Sequence, residues 1–256
     1  MTSATGQDEA AVALPSPPFV SVVGIPNFRD LGGYPVSHSS STHSIRRGTI
    51  YRCGDPSRVT PDGVKTMQAL AITHMYDLRS NTEIERSKAA GRGGVVEWEG
   101  CERVFVPVFA DKDYSPEGIA MRFKEYASGS AEVTSPPPAR SAEEQWLRTF
   151  QSQGFTRAYT EILENAPEAY RRILLHVAYE PSKPFTLHCT AGKDRTGVLC
   201  ALILSLCGVD DHIVAYEYSL TEIGLLELRD VIVAHLMANP ALKDNIDGAM
   251  NMISAK

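Results

Sequence analysis

The segment that most constrains this chain is His188-Cys189-Thr190-Ala191-Gly192-Lys193-Asp194-Arg195-Thr196-Gly197. It follows Phe185-Thr186-Leu187-His188, which reads as a short buried strand. It leads into Arg195 to Cys207, a stretch apolar nearly all round and so expected to be a central buried helix. Gly208 comes next as the natural cap of that helix. A strand that enters a helix through a short loop turns successive backbone N–H groups towards one point. The helix dipole adds partial positive charge there, so the loop is a cradle for an anion the size of phosphate.

The side chains fit such a cradle. Cys189 and Arg195 stand in the spacing CxxxxxR. A cysteine at the base of an electropositive loop is expected as thiolate. Arg195 offers a planar two-pronged donor, Gly192 lets the backbone turn without a Cβ clash, and Thr196 is expected to donate its hydroxyl to the cysteine sulfur. Thr190, Ala191, Gly192, Lys193, Asp194 and Arg195 are therefore the expected phosphate-binding residues. Nucleophile, oxyanion cradle and cation in one loop meet the needs of covalent phosphoryl transfer. Cys200 and Cys207, on the apolar helix, read as core.

The rest of the chain alternates strands and helices. Thr60-Pro61-Asp62 is a helix start, with Thr60 as N-cap and Pro61 in the first turn. Ile72 to Leu78 reads as a strand, and Ser80 to Glu83 as a capping box opening another helix. Val104 to Phe109 (VFVPVF) reads as a short strand whose Pro107 suggests a sheet edge or a strand end. Phe155 to Val177 is helical, divided at Pro167. The pattern is α/β, with a mainly parallel central sheet flanked by helices. Residues 1–18 read as a flexible tail and 19–256 as one domain. The three prolines within Gly129 to Glu144 mark a long loop, read as part of a lid insertion near 110–150.

Composition excludes several classes. Of 256 residues, 43% are hydrophobic and 22% charged, which is ordinary globular usage, and the net charge of −6 argues against a general nucleic-acid binder. The five cysteines form no CxxC pair, so a disulfide framework and a zinc site are both disfavoured. No Lys or Arg precedes Arg29, against a signal or transit peptide, and the apolar run Val198 to Cys207 is too short to span a bilayer. The expectation is a cytoplasmic protein with no transmembrane segment.

HCTAGKDRTG closely resembles the loop of the microbial cysteine-dependent tyrosine and lipid phosphatases, whose motif is HCxAGKDRTG. Asn27 to Tyr34 (NFRDLGGY) is similar to the NFRDLGG opening of that family. Tyr51-Arg52-Cys53 resembles its YRS segment with cysteine in place of serine, and Asp77 to Ser80 matches its DLRS strand end. The resemblance runs from about Asn27 to Thr221. It implies a cysteine-phosphatase fold with a helical or loop insertion, and a phosphatase acting on phosphotyrosine through a cysteinyl-phosphate on Cys189. A phosphoinositide phosphatase and a catalytically silent phospho-binding module are the alternatives.

The expected partner is a phosphorylated protein or a phosphoinositide, with no cofactor and no metal. The reaction wants a general acid. Asp194 is ranked first, on the resemblance; Asp77, at a strand end where open sheets place ligands, is second; Asp111 is third, with Asp113 beside it. Arg29, Asp30, Arg52 and His188 are expected to support the loop. Lys193 is read either as a flexible rim charge for a second phosphate or as a charge that tunes Cys189.

Overall fold

The computed structural model describes residues 14–37, 43–91, 93–110 and 153–229. Asp111, Asp113, Lys112 and the Gly129 to Glu144 stretch, hence the expected lid, lie outside the described residues. Seven short strands, six α-helices and one short 3-10 turn (Pro56–Arg58) follow in order among the described residues. The strands are β1 (Arg29–Asp30), β2 (Pro35–Val36), β3 (His43–Ser44), β4 (Ile50–Cys53), β5 (His74–Asp77), β6 (Glu102–Phe105) and β7 (Phe185–His188). The helices are α1 (Pro61–Ala69), α2 (Asn81–Ala89), α3 (Gln153–Asn165), α4 (Pro167–Tyr179), α5 (Asp194–Leu206) and α6 (Asp211–Gly224).

Five strands form the central sheet in the order β1-β4-β7-β5-β6. β4, β7, β5 and β6 are parallel, and β1 closes one edge antiparallel to β4. The expected mainly parallel α/β sheet is thus present. β7, the strand that feeds the cysteine loop, sits in the middle and is buried along its whole length. Its register sets Cys53 and Asp77 on either side of His188, so three strand ends converge at one point. Ligands of open parallel sheets lie outside such carboxyl ends.

Side chains alternate across the sheet, as the period of two requires. Ile50, Tyr76, Phe185 and Leu187 enter the larger apolar cluster, which also takes Ile173, Leu199, Ile203 and Leu204 from α4 and α5. Tyr51 and Cys53 enter the smaller cluster with Phe28, Met67 and Ile72. Thr60 caps α1 by accepting the Gly63 N–H at 3.2 Å, and Pro61 opens the helix. The helical stretch divides at Pro167 as expected.

Three differences have physical causes. The sixth strand is Glu102–Phe105, earlier than VFVPVF. Val106 and Val108 still donate to Asp77 and Leu78 carbonyls, but Pro107 between them has no N–H to give, and regular pairing ends. Helix α5 is apolar nearly all round yet not wholly buried, since Leu206 is 74% exposed at its end. The segment read as a flexible tail is held at its C-terminal end: Pro18 accepts from the Asp30 N–H at 3.0 Å and Pro15 from Phe19 at 3.1 Å.

Candidate active site

The loop from Cys189 to Lys193 is held by its carbonyls. His188 Nδ1 lies 3.2 Å from the Cys189 carbonyl oxygen and can donate to it. The Asp55 N–H donates to Thr190 at 2.9 Å. Asn27 Nδ2 donates to Ala191 at 3.2 Å and to Gly192 at 3.3 Å. Arg52 Nη2 donates to Gly192 at 2.7 Å and to Lys193 at 3.3 Å, and the Gly197 N–H also reaches Lys193 at 2.7 Å. Five successive carbonyls therefore have donors outside the cradle. In a planar trans peptide the next N–H points the opposite way, so the amides from Thr190 to Asp194 turn towards the loop centre. That is the backbone pattern of an anion nest.

Gly192 makes the turn possible. Its φ is +66°, and a Cβ there would run into the Cys53 carbonyl oxygen. Cys189 is buried at the base, 3% exposed.

A floor of buried charge carries the loop. Arg29 and Arg52 are both fully buried and share Glu217, through Oε1 at 2.7 Å and Oε2 at 2.6 Å. Arg29 also donates to the Asn27 carboxamide oxygen and to Thr221 Oγ1 at 2.9 Å. Burial alone would push the Glu217 carboxyl up, but the two guanidinium groups outweigh it and hold it below the ordinary range. Arg52 thus reaches the loop directly, and Arg29 is linked to it through Asn27, whose Nδ2 donates to the loop carbonyls, and through the shared Glu217. Asp30 does something else: it accepts from the Gly32 N–H at 2.8 Å and the Gly48 N–H at 2.9 Å. Strand alternation turns it away from Arg29, so it braces two glycine turns rather than the loop.

A second buried cluster forms a wall. Arg195 donates to Glu83 through Nη1 at 2.7 Å and Nη2 at 2.6 Å. The fork expected to take phosphate therefore holds a carboxylate, with both side chains 2% exposed. Glu83 also accepts from the Thr190 hydroxyl at 2.6 Å. Burial pushes Glu83 up, but Arg195 prevails and keeps its carboxyl below the ordinary value.

Asp77 is fully buried and saturated by Arg79 (2.9 Å) and Arg103 (2.8 Å). Burial opposes its charge, but His188, Arg79 and Arg103 outweigh it and hold the carboxyl well below the usual range. A group kept ionised with its lone pairs filled does not suit proton donation, which corrects its place among the acids. His188 Nε2 lies 3.7 Å from Asp77, and burial lowers the imidazole's affinity for protons.

One further expectation fails, and one of the two readings of Lys193 loses ground. The Thr196 hydroxyl is buried without a hydrogen-bond partner, so it does not reach the Cys189 sulfur. Lys193 is 5% exposed with Nζ 3.8 Å from Asp194 Oδ1, which is not a flexible charge at the rim. Asp194 itself opens α5 and accepts from Tyr159 at 2.6 Å and Tyr218 at 3.2 Å. Among the described residues no group of three or more His, Cys, Asp or Glu is placed to hold a metal ion.

The sequence profile of the tyrosine phosphatase family matches residues 20–256. The chain belongs to the tyrosine phosphatase family. It is similar to the triple specificity protein phosphatase PtpB of Mycobacterium tuberculosis, 28% identical over 208 residues covering 79% of this chain and 69% of that protein. A Cupriavidus necator protein named as a tyrosine-protein phosphatase is 27% identical over 244 residues, 90% of this chain and 77% of its own. A tyrosine-protein phosphatase of Nostoc commune is 31% identical over 64 residues, 25% of this chain and 22% of that one. This chain is a phosphatase enzyme of that family.

Sequence reasoning missed four residues of this phosphatase's site: Glu83, Glu217, Tyr159 and Tyr218. Glu83 did carry a signal, the capping box with Ser80, which the structure contains in full. That local reading was sufficient and hid the second role. Among the described residues no helix is long and apolar enough to cross a membrane.

Proposed function

We propose that this phosphatase hydrolyses phosphotyrosine through a covalent cysteinyl-phosphate on Cys189. The observation that carries the reading is the set of five outward-held carbonyls, which leaves the five amides that follow them facing away from those donors, on a loop that begins at a buried cysteine. The Cys189 thiolate attacks phosphorus, and the S–P bond forms as the P–O ester bond breaks. The loop amides and Arg195, held by Glu83, stabilise the equatorial oxygens. Asp194 protonates the leaving phenolate, then takes a proton from the water that cleaves the S–P bond. The steps need no redox partner.

Cys189→Ser tests it. The variant should lose turnover of an aryl phosphate by on the order of 10³-fold or more and still bind inorganic phosphate, because the amides and Arg195 remain. Wild-type protein should form an acid-stable phosphoenzyme in a rapid quench, with EDTA present throughout. Binding of phosphotyrosine peptide without turnover by wild type would instead favour the silent phospho-binding module.

One relative is named for triple specificity, and that supports carrying the assay to phosphoserine, phosphothreonine and phosphoinositide substrates. The burial of Lys193 favours its tuning of the loop over reading a second phosphate. Lys193→Ala should then lower phosphotyrosine and phosphoinositide rates together. A cytoplasmic setting belongs to the same reading, supported by five cysteines that are all free.

A further inference from the structure

Asp194 is held in an unusual way for a residue inside a phosphate loop. Its Oδ1 accepts from Tyr159 Oη at 2.6 Å and from Tyr218 Oη at 3.2 Å, and the two phenol oxygens lie 2.5 Å apart. Lys193 Nζ also approaches Oδ1, at 3.8 Å. All the contacts described for this carboxylate fall on the one oxygen. The phenols come from α3 and α6, which both pack against α5.

A second, independent feature shows that this arrangement is built. Gly197, the last residue of the loop motif, lies under the Tyr218 ring. A Cβ at Gly197 would meet Tyr218 Cε2 at 2.8 Å and Cδ2 at 2.9 Å. Its φ is not in the left-handed region, so backbone freedom is not the reason for glycine there; the close approach of Tyr218 is. Burial and the Asp194 carboxylate keep both phenols protonated well above their ordinary range, so they act as donors rather than as acids.

We propose that Tyr159 and Tyr218 are positioning residues that pin Asp194 by Oδ1 and so confine its transferable proton to Oδ2. The two phenols share two protons among three contacts: Tyr218 donates mainly to Tyr159 at 2.5 Å and Tyr159 to Oδ1 at 2.6 Å, with Tyr218 only grazing Oδ1 at 3.2 Å, and an oxygen that already accepts this polarised O–H is a poor place for a further proton. The proton of the acid form therefore sits on Oδ2, and the carboxyl plane cannot spin to bury it. As the P–O bond breaks, its electron pair goes to the leaving oxygen, which takes the Oδ2 proton. In the hydrolysis step Oδ2 recovers a proton from the attacking water. The inference rests on Asp194 acting as the general acid, and it assigns that acid an orientation.

The test is leaving-group dependence. Wild type, Tyr159→Phe, Tyr218→Phe, the double variant, Gly197→Ala and Asp194→Asn are compared on aryl phosphates whose phenols range from strongly to weakly acidic. A strongly acidic phenol leaves without a proton, and tyrosine does not. The double phenylalanine variant should lose about tenfold or more in kcat on phosphotyrosine peptide, a part of the roughly 10²–10⁴-fold that a general acid contributes. On the dinitrophenyl ester it should change by no more than roughly twofold. The alkaline limb of its pH–rate profile, where the acid loses its proton, should also shift. Gly197→Ala, which pushes Tyr218 aside, should reproduce the Tyr218→Phe pattern if the phenylalanine variants fold poorly. A uniform fall across all leaving groups in the tyrosine variants, with Asp194→Asn still selective, overturns the positioning role and leaves the acid assignment standing. A uniform fall in Asp194→Asn as well overturns both.

Discussion

Beneath the loop, Arg29 and Arg52 share the single carboxylate of Glu217; beside it, Arg195 has Glu83 to itself. Both clusters are buried, and both pair guanidinium with carboxylate. They differ in what they hold. Arg52, in the floor, sends its spare donors to main-chain carbonyls of the loop, those of Gly192 and Lys193. Toward the loop, the wall's carboxylate meets side chains, the Arg195 guanidinium and the Thr190 hydroxyl, besides the Ser80 N–H of its own cap. Main-chain contacts shape the nest before any ligand arrives. Side-chain contacts orient a charge that the ligand then uses.

The comparison breaks hardest at Glu217. Glu217→Gln keeps the shape and strands two buried guanidinium groups against each other. Breaking a buried pair by removing one partner costs about 3–5 kcal/mol, so chemical denaturation should register a loss of that size. Activity per folded molecule should fall as well, because Arg52 no longer sits fixed under the loop. A stability change below about 1 kcal/mol would place Glu217 among ordinary surface-like pairs and remove the distinction.

Glu83→Gln probes the wall. Glutamine can still serve the capping box, so most of the local fold should survive. Arg195 loses its charged partner and its fixed orientation. We expect kcat/KM to fall about 10- to 100-fold, equivalent to roughly 1.4–2.7 kcal/mol, with a smaller stability loss than Glu217→Gln. Reversal of that order, with Glu83 governing stability and Glu217 governing only rate, would invert the roles assigned to floor and wall.

The same carboxylates set an acid limit. Glu83, Glu217 and Asp77 are all held below their ordinary values by paired cations despite burial. A depressed folded-state value gives stability that is present above the unfolded value, about 4, and lost as pH falls through the folded one. Unfolding free energy should therefore be flat above about pH 5 and decline below it. Glu217→Gln should flatten the decline, since one proton uptake is deleted. An unchanged slope in that variant would mean Glu217 already carries its proton in the folded state.

These contrasts also explain what could be read in advance. The strand–loop–helix setting of Cys189, the glycine at 192 and the break at Pro167 are local facts, each settled by residues within one turn or one strand. The floor and wall are not local. Arg29 meets Glu217 across 188 residues and Arg195 meets Glu83 across 112. Periodicity assigns a charged residue to a helix's wet face, and Glu217 is 1% exposed. Asp30 was misread for a related reason: it adjoins Arg29 in sequence, but strand alternation sends the two side chains to opposite sides. Asp77 stood at the right strand end, yet only the arginines around it reveal that its lone pairs are spent.

The smallest effect tests whether the wall depends on local helix capping. Ser80 and Thr60 are both N-caps, and each side chain accepts a backbone N–H at 3.2 Å. Removing either to alanine should cost about 1 kcal/mol. Thr60 caps α1, which carries none of the site's side chains, so Thr60→Ala should leave kcat/KM unchanged per folded molecule. Ser80 is different. Its N–H donates to Glu83 Oε2 at 2.9 Å while its hydroxyl takes the Glu83 N–H, so the cap and the wall share one carboxylate. Loosening it frees Glu83 to swing and lets Arg195 drift by a fraction of an ångström. Ser80→Ala should therefore add a rate loss of about twofold to threefold, near half a kcal/mol, to a stability loss equal to that of Thr60→Ala. Thermal melts matched against steady-state rates on one aryl phosphate would separate the two. Equal stability losses with equal rates would show that Arg195 is held by the salt bridge alone, and that the capping box meets the active site only by position.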